Sequence, residues 1–497
     1  MHTKYSKYYS KIEIQKYNFE KIIEKIKKES SFENKLSYAL YALNYAVYNN
    51  CGYYTSHFLE NFFLEYAKKI KVDLSNIQYK KNTYLHVLTQ GYNTGGHTRV
   101  AERWIKNAPK DENHSVVILK PNKENLDLLQ NNVEEKNGKL IYFDKNLSVK
   151  KRALDLRKLA MEYEYVILHV DMDDPIAVVA FGVEEFKRPV LFYNHASHLF
   201  WIGKSVADLV LDIEFNDEVT RNKRKIDNAY FLGVPLNEIS ISKTEKQEAR
   251  KKLNLPVDKK IIVSSGHEMK YVAICDDFYG DIIEKIIDKD TYCYIVGVNK
   301  DNIEWNKLKE KSKGRIIPVG RVDYFDGYID YLKACDLYLD SYPFCGGVAC
   351  IEAISCGVGV LSLKSIYPQF DYLIRTSAYC DNKQDFIEKA KKMLYDKNFS
   401  DEILDEITKS LIEHQSLNVW KDKINELFKM VPKKHNVKEL SFDEYFEIDD
   451  LAVLCNTMLN KDFLTKEIKK ISDFDLCKIL INLKIKKVIH FVKKFFK

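Results

Sequence analysis

The chain has 497 residues, 45% hydrophobic and 13% aromatic, enough for two ordinary domains with sizeable cores and too apolar for a disordered protein. Its 78 basic and 72 acidic residues leave a net charge of +6, a near balance that argues against a nucleic-acid partner, which demands a stronger basic footprint. Ten cysteines are scattered without a CxxC pair, several in apolar runs (Cys293, Cys335, Cys356), as buried thiols in a reducing cytoplasm are. The start, MHTKYSKYYSKIEI, lacks the apolar run of a signal peptide, and no stretch of eighteen apolar residues occurs. The expectation is a protein made and kept in the cytoplasm.

Residues 1–80 read as helical. Apolar and aromatic residues recur at three-to-four spacing between Leu36 and Ile70 (Leu36, Ala39, Leu43, Val47, then Phe58, Phe62, Tyr66), with a break at Asn50–Gly52. That predicts a helical hairpin packed on the following domain, a structural cap or an acceptor-binding surface. From Thr83 the period changes. Apolar strands at Tyr84–Leu88, Ser115–Leu119, Leu140–Phe143, Tyr165–His169, Val190–Tyr193 and Ala207–Leu211 alternate with helical stretches, the sign of a parallel sheet wrapped by helices. After FLGVP (231–235) and a polar stretch the alternation restarts, with strands at Lys260–Ser264, Tyr292–Val296, Ile316–Val319, Leu337–Leu339 and Val358–Leu361. Two such sheets, joined near residues 233–258, predict two Rossmann-like domains with the active site in the cleft they share. Two helices follow over Ile403–Met430, then a polar segment and a helical tail. In the tail Ile485, Val488, Val492 and Phe495 fall on one face, and seven lysines with no acid follow Cys477. Such a helix is either a membrane-surface anchor or a terminal helix docked on the body with a solvated lysine face.

Several loops carry chemistry. In LYLDSYPFCGGVACIEAISCGVGVL (337–361) a strand stops at Asp340, Gly346 and Gly347 open a helix, and Gly357 closes it. Strand, glycine loop and helix N-terminus make an anion site, because free amide N–H groups and the positive dipole end point into the loop. Glu352, further along that helix, suits a sugar's vicinal hydroxyls instead of phosphate. In the first domain the loop GYNTGGHTR (91–99) lets a ligand approach backbone at Gly95 and Gly96, and His97, Thr98 and Arg99 add polar groups. His195 and His198 follow the carboxyl end of the strand Val190–Tyr193, and His169 ends its neighbour. GHEMK (266–270) follows the first strand of the second domain. Asp171 and Asp173 spell a DxD that can ligate a divalent cation, but Asp173 or Asp174 reads better as an N-cap or first-turn acid for the helix over Ile176–Phe181.

The segment 337–361 resembles the donor-nucleotide motif of GT-B glycosyltransferases. Glu352, Ala353, Cys356 and Gly357 match the second half of the glutamate-x7-glutamate signature of family 4 enzymes, and the resemblance assigns Glu352 to the nucleotide ribose. The first glutamate falls at Phe344, which leaves the stereochemical course open. The spacing from Asp340 to Glu352 is also similar to O-linked N-acetylglucosamine transferases, whose loop histidine falls at Val348. The resemblance covers roughly residues 83–430. It implies that residues 95–99 form the first glycine-rich loop near the diphosphate and acceptor, and that His195 contacts the transferred sugar. It further implies that Gly266, His267 and Lys270 correspond to a glycine-arginine…lysine element neutralising the donor phosphates.

The sequence reading is therefore an α/β, GT-B-like protein: a helical extension over 1–80, an acceptor-side Rossmann-like domain over 81–235, a donor-side domain over 250–430, and a helical basic tail over 431–497. His195, His97 and Lys270 are the candidate catalytic residues. Gly95, Gly96, Thr98, Arg99, His198, Gly266, His267, Gly346, Gly347 and Glu352 are the candidate substrate contacts. The implied reaction transfers a sugar from a nucleotide-sugar, UDP-linked, to a surface glycan or lipid-linked acceptor. No metal or other cofactor is expected, nor nucleic acid, and an anionic membrane surface is a partner for residues 477–497. A cytoplasmic protein glycosyltransferase, a nucleotide-sugar 2-epimerase of the same fold and a non-catalytic nucleotide-binding module are the alternatives.

Overall fold

The structure is a computed structural model that describes residues 5–93, 96–213, 218–236, 245–274, 277–324, 326–367, 369–441, 445–460 and 463–495, with backbone alone at 218 and 486–495. Contacts divide the chain into two units: Met1–Asp212 with Asp217–Tyr230 and Val431–Lys497, and Phe231–Met430 with Ile213–Asn216.

The first unit is built on a seven-stranded sheet. Its strands are β1 (Thr83–Leu88), β2 (Asn113–Ile118), β3 (Leu140–Tyr142), β4 (Tyr165–His169), β5 (Val190–Asn194), β6 (Leu209–Asp212) and β7 (Ala229–Phe231), in the order β3-β2-β1-β4-β5-β6-β7. Pairing is parallel from β3 through β6. β1 and β5 are buried along their whole length, as strands covered on both faces must be. The second unit carries β8 (Lys260–Ser265), β9 (Thr291–Val296), β10 (Ile316–Gly320), β11 (Leu337–Leu339), β12 (Gly359–Leu363) and β13 (Tyr379–Cys380), ordered β10-β9-β8-β11-β12-β13. In each sheet the order reverses beside the first strand, between β1 and β4 and between β8 and β11. Crevices for ligands open at the carboxyl ends of such reversals. The expected α/β class with two Rossmann-like sheets is thus found. The short edge strands β7 and β13 were not expected.

The N-terminal segment forms three helices, Tyr9–Lys28, Phe32–Tyr48 and His57–Lys68. Ser31 and Ser56 cap the second and third by accepting the amides of Asn34 and Leu59. These helices share one apolar core with the first sheet: Phe19, Leu43, Phe63, Leu85, Val166 and Phe181 are all nearly or fully buried in the same cluster. Two buried charges join the layers. Glu60 accepts the amides of Gly203 and Lys204 at 2.7 and 3.0 Å, and Arg157 donates to the carbonyls of Ile70 and Val179, both at 2.7 Å. Stranding either charge by removing its partners would cost several kcal/mol.

The C-terminal segment also packs into the first unit. His435 is buried between Asp208 (2.7 Å) and the carbonyl of Phe181 (3.0 Å). The helix Asp450–Leu459 is tied to the N-terminal helices by Tyr9 on Asp450 (2.9 Å) and Gln15 on Asn456 (2.9 Å). The last helix, Asp473–Phe495, is anchored by Leu476, buried in the core cluster with Ile479 and Leu480 against it. Beyond that anchor Ile481 and Ile485 are exposed, while the side chains of Val488, Val492 and Phe495 lie outside the described residues. No helix among the described residues is long and apolar enough to cross a membrane.

Candidate functional site

In the first unit the crevice between β1 and β4 is lined by the loop after β1 and the residues after β4 and β5. Thr89, buried at the end of β1, donates to Asp174 (2.8 Å) and accepts the amide of Asp171 (2.9 Å). Asp174 also accepts the amide of Ile176 (3.0 Å) and pairs with Lys120 (3.3 Å). It is thus held by the turn into the helix Ile176–Phe181, whose N-cap position is Pro175. Asp173 accepts from Asn44 at 3.2 Å.

The glycine loop leads into the helix Gly96–Asn107. Gly95 lies outside the described residues. A side chain on Gly96 would meet nothing within 4 Å, so this backbone is open to a ligand. Thr98 is buried, and its hydroxyl accepts the Tyr92 amide at 2.9 Å, which fixes the loop to the helix. Arg99 pairs with Glu102 one turn along its own helix. The ring of His97 stacks on His195, centroids 4.1 Å apart, with Nδ1 4.0 Å from Asp171. Burial lowers His97 to about 4 and, with help from Asp174, raises Asp171 to about 6. His195 is bonded through Nε2 to Nδ1 of His169 at 3.0 Å, and burial holds it well below the ordinary histidine range. His97, His169 and His195 therefore form one neutral cluster. His198 is not part of it: it is buried near the helix Asp450–Leu459, where its carbonyl accepts from Cys455 at 3.7 Å.

The crevice of the second unit lies between β8 and β11. Asp340, fully buried at the end of β11, accepts from the amides of Ser341 (2.8 Å) and Gly346 (2.6 Å), from Ser362 (3.0 Å) and from Gln369 (2.7 Å). Four donors satisfy both oxygens of a buried carboxylate, so Asp340 ties the loop down. The Gly346 amide is consequently committed to Asp340. Gly347 is the N-cap of the helix Val348–Ser355 with φ +49°, and a Cβ there would lie 1.9 Å from the Phe370 ring. Only glycine fits this turn. The amides of Gly347 and Val348 donate to nothing among the described residues.

Lys270 reaches the same loop, its Nζ donating to the carbonyl of Cys345 at 2.8 Å. No carboxylate pairs with it among the described residues. Gly266 lies beside its stem, where a Cβ would meet the Lys270 Cδ at 3.1 Å. His267 is exposed, and its Nδ1 accepts the Met269 amide to cap the short turn carrying Lys270. Glu352 is half-buried one turn into the helix and accepts from the Tyr324 hydroxyl at 2.9 Å. Tyr328 faces it too, its pKa raised by burial first and by the Glu352 charge second. Gly347, Lys270 and Glu352 therefore converge on one rim, with an open helix end, an uncompensated cation and a carboxylate beyond them. That combination suits a phosphate ester joined to a polyhydroxylated group.

Sequence reasoning missed Asp340 as the hub of the loop, Tyr324 as the partner of Glu352, and three groups beneath His169: His86, His114 and Glu112. A histidine inside each of two apolar strands was the available signal, but strand order and register are needed to bring them together.

No protein-family model matches the chain, and no curated protein matches it in sequence. Solved structures do match. HepE from Anabaena in complex with UDP superposes with a TM-score of 0.54 at 14% identity, covering 70% of this chain and 100% of that one. A glycosyltransferase from Rickettsia africae gives 0.52 at 14% identity, over 71% of this chain and 98% of its own. The chain has the GT-B glycosyltransferase fold.

Proposed function

We propose that this GT-B protein transfers a sugar from a nucleotide-sugar, UDP-linked, to a hydroxyl of a surface glycan or its lipid carrier. The observation that carries the reading is the rim of the second unit, where Lys270 and the Gly347 and Val348 amides meet with Glu352 beyond them. The solved HepE structures with UDP-glucose and with UDP and glucose, of the same fold, support a nucleotide-sugar as the donor. In this reading Glu352 accepts from the ribose hydroxyls, and Lys270 with the helix N-terminus takes the diphosphate. As the anomeric C–O bond breaks, its electron pair goes to the nucleoside diphosphate, and a fixed cation and amides stabilise that growing charge without reorganising. The acceptor oxygen bonds to the anomeric carbon, and its proton goes to His195. In this reading the charge gained by the leaving group is met by Lys270 and backbone dipoles instead of a metal ion.

The test is incubation of the full chain with a panel of nucleotide-sugars, with and without glycan, lipid-linked and peptide acceptors. Release of nucleoside diphosphate only with a glycan or lipid-linked acceptor is expected. Isomerisation of the donor, transfer to peptide alone, or tight binding without turnover would each overturn the proposal in favour of a different activity.

A further inference from the structure

A row of four histidines crosses the first sheet in unbroken hydrogen-bond contact. Glu112 Oε2 lies 3.0 Å from His114 Nε2, His114 Nδ1 3.0 Å from His86 Nε2, His86 Nδ1 3.1 Å from His169 Nε2, and His169 Nδ1 3.0 Å from His195 Nε2. The register explains the row. His114 sits opposite Tyr84, two residues before His86 on β1, and His169 sits opposite Leu88, two residues after it. Each step thus crosses one strand and advances two residues along one face, a diagonal of about 7–8 Å that two imidazole rings can span. Trp104, on the helix Gly96–Asn107, closes this face edge-on against His86. His86, His114 and His169 are all fully buried.

We propose that this row is a proton relay, in which Glu112 at one end of the sheet dictates which nitrogen of His195 is bare at the other. A carboxylate only accepts, so His114 must present its Nε2–H to Glu112. A neutral imidazole has one N–H, so His114 Nδ1 must accept from His86. The same rule passes along the row to His195, which donates from Nε2 and keeps Nδ1 as an acceptor with no partner among the described residues. The four rings stay neutral because burial lowers every one of them. Other groups face the ends. At Glu112 these are Tyr84, which donates at 3.1 Å, together with Asp111 and Lys136. At His195 they are Tyr193 and His97, with Asp171 behind His97.

A proton arriving at His195 Nδ1 needs four short shifts. His195 Nε2–H passes to His169 Nδ1, His169 Nε2–H to His86 Nδ1, His86 Nε2–H to His114 Nδ1, and His114 Nε2–H to Glu112 Oε2. One proton enters and one arrives at the carboxylate. No ring is left charged, and the N–H of each has moved from Nε2 to Nδ1. The cost of a buried imidazolium is avoided, and the proton reaches a partly solvated carboxyl just before the start of β2. Return runs through the same shifts backwards. The arrangement extends to five groups the logic by which a buried carboxylate holds a catalytic histidine in one tautomer. That the incoming proton comes from an acceptor hydroxyl rests on the transferase reading; the tautomer order does not.

Long-range proton–nitrogen NMR on the full chain with labelled histidines reads the tautomers directly, with His86→Phe and Glu112→Leu as two ways to break the row without touching His195. The expected wild-type result is Nε2–H on all four rings and a bare Nδ1 on His195. Either variant should then turn His195 into a mixture of tautomers while nucleotide affinity stays unchanged, and kcat should fall about tenfold to a hundredfold, the scale of losing a partner that orients a working imidazole. His195 carrying its proton on Nδ1 in the wild type overturns the relay, as does an unaltered His195 tautomer in both variants. Should the nucleotide-sugar panel give no turnover, the tautomer result still decides the relay, so the two failures are distinguishable. Should one variant not fold, the wild-type spectrum and the other variant decide.

Discussion

Lowering the pH from 7 to 5 loads protons onto the unfolded chain at five histidines that the fold holds neutral: His86, His97, His114, His169 and His195. The ordinary histidine value is about 6.5, whereas burial brings His97 to about 4, His114 to about 3, and the other three well below the ordinary range. The sign follows from proton counts. Near pH 5 the unfolded state binds about five more protons than the folded state at these sites, so stability falls as pH falls below 6.5. The slope approaches 7 kcal/mol per pH unit, about 1.36 kcal/mol for each proton. Integrated from pH 7 to 5 the loss is about 2 kcal/mol per histidine, or about 9 kcal/mol together, comparable to a whole domain's stability. Asp171 and Glu112, raised chiefly by burial, work in the opposite direction, because the folded state holds their protons more tightly. Both are partly open to solvent, so their offset is smaller. Denaturant unfolding at pH steps from 7.5 to 4.5 measures the slope. Trp104 and Trp201 report on the first unit, and Trp305 and Trp420 on the second. The first unit should lose its stability between about pH 6 and 5, ahead of the second. A proton uptake below about two per unfolding event at pH 5 would refute the buried neutral row.

Glu352→Gln should weaken nucleotide-sugar binding by about 1.5–3 kcal/mol, about ten- to a hundred-fold, through loss of a charge-assisted bond; unchanged affinity by calorimetry in a folded variant would remove the ribose role. Lys270→Met should weaken nucleoside diphosphate binding by a similar factor while leaving the free nucleoside unaffected, and equal losses for both ligands would mean the lysine only props the loop. If Lys270 and the helix end meet the leaving charge as proposed, turnover should survive EDTA; abolition by chelator with rescue by Mn²⁺ would promote Asp171 and Asp173 to ligands. Removing residues 486–497 spares the Leu476 anchor and should abolish flotation with anionic vesicles at low salt, each lysine contributing on the order of 1 kcal/mol at such a surface. Full-length protein that fails to float would leave the lysine face merely solvated.

Hydrophobic period and turn chemistry were enough to place every strand but the edge strands β7 and β13, the restart of the pattern after residue 258, and the glycine loop that opens the helix of Glu352. Those features are local: alternation, a strand end and a helix start lie within a few residues of one another, and side-chain period reports them directly. The places of Lys270, Gly347 and Glu352 in the fold were legible for the same reason, because each lies within about one turn of a strand end or helix start. What the sequence could not carry was adjacency. His114 and His86 lie 28 residues apart, and His86 and His169 lie 83 apart. Nothing in their spacing says that β2, β1, β4 and β5 are neighbours, or that the register moves two residues at each crossing. The same holds for Asp340, whose four donors come from its own loop, β12 and Gln369, and for Leu476, which draws the C-terminal segment into the core of the first unit. Strand order is set by which apolar faces can be covered together, a balance of burial over the whole unit, so it is decided only when the chain has folded.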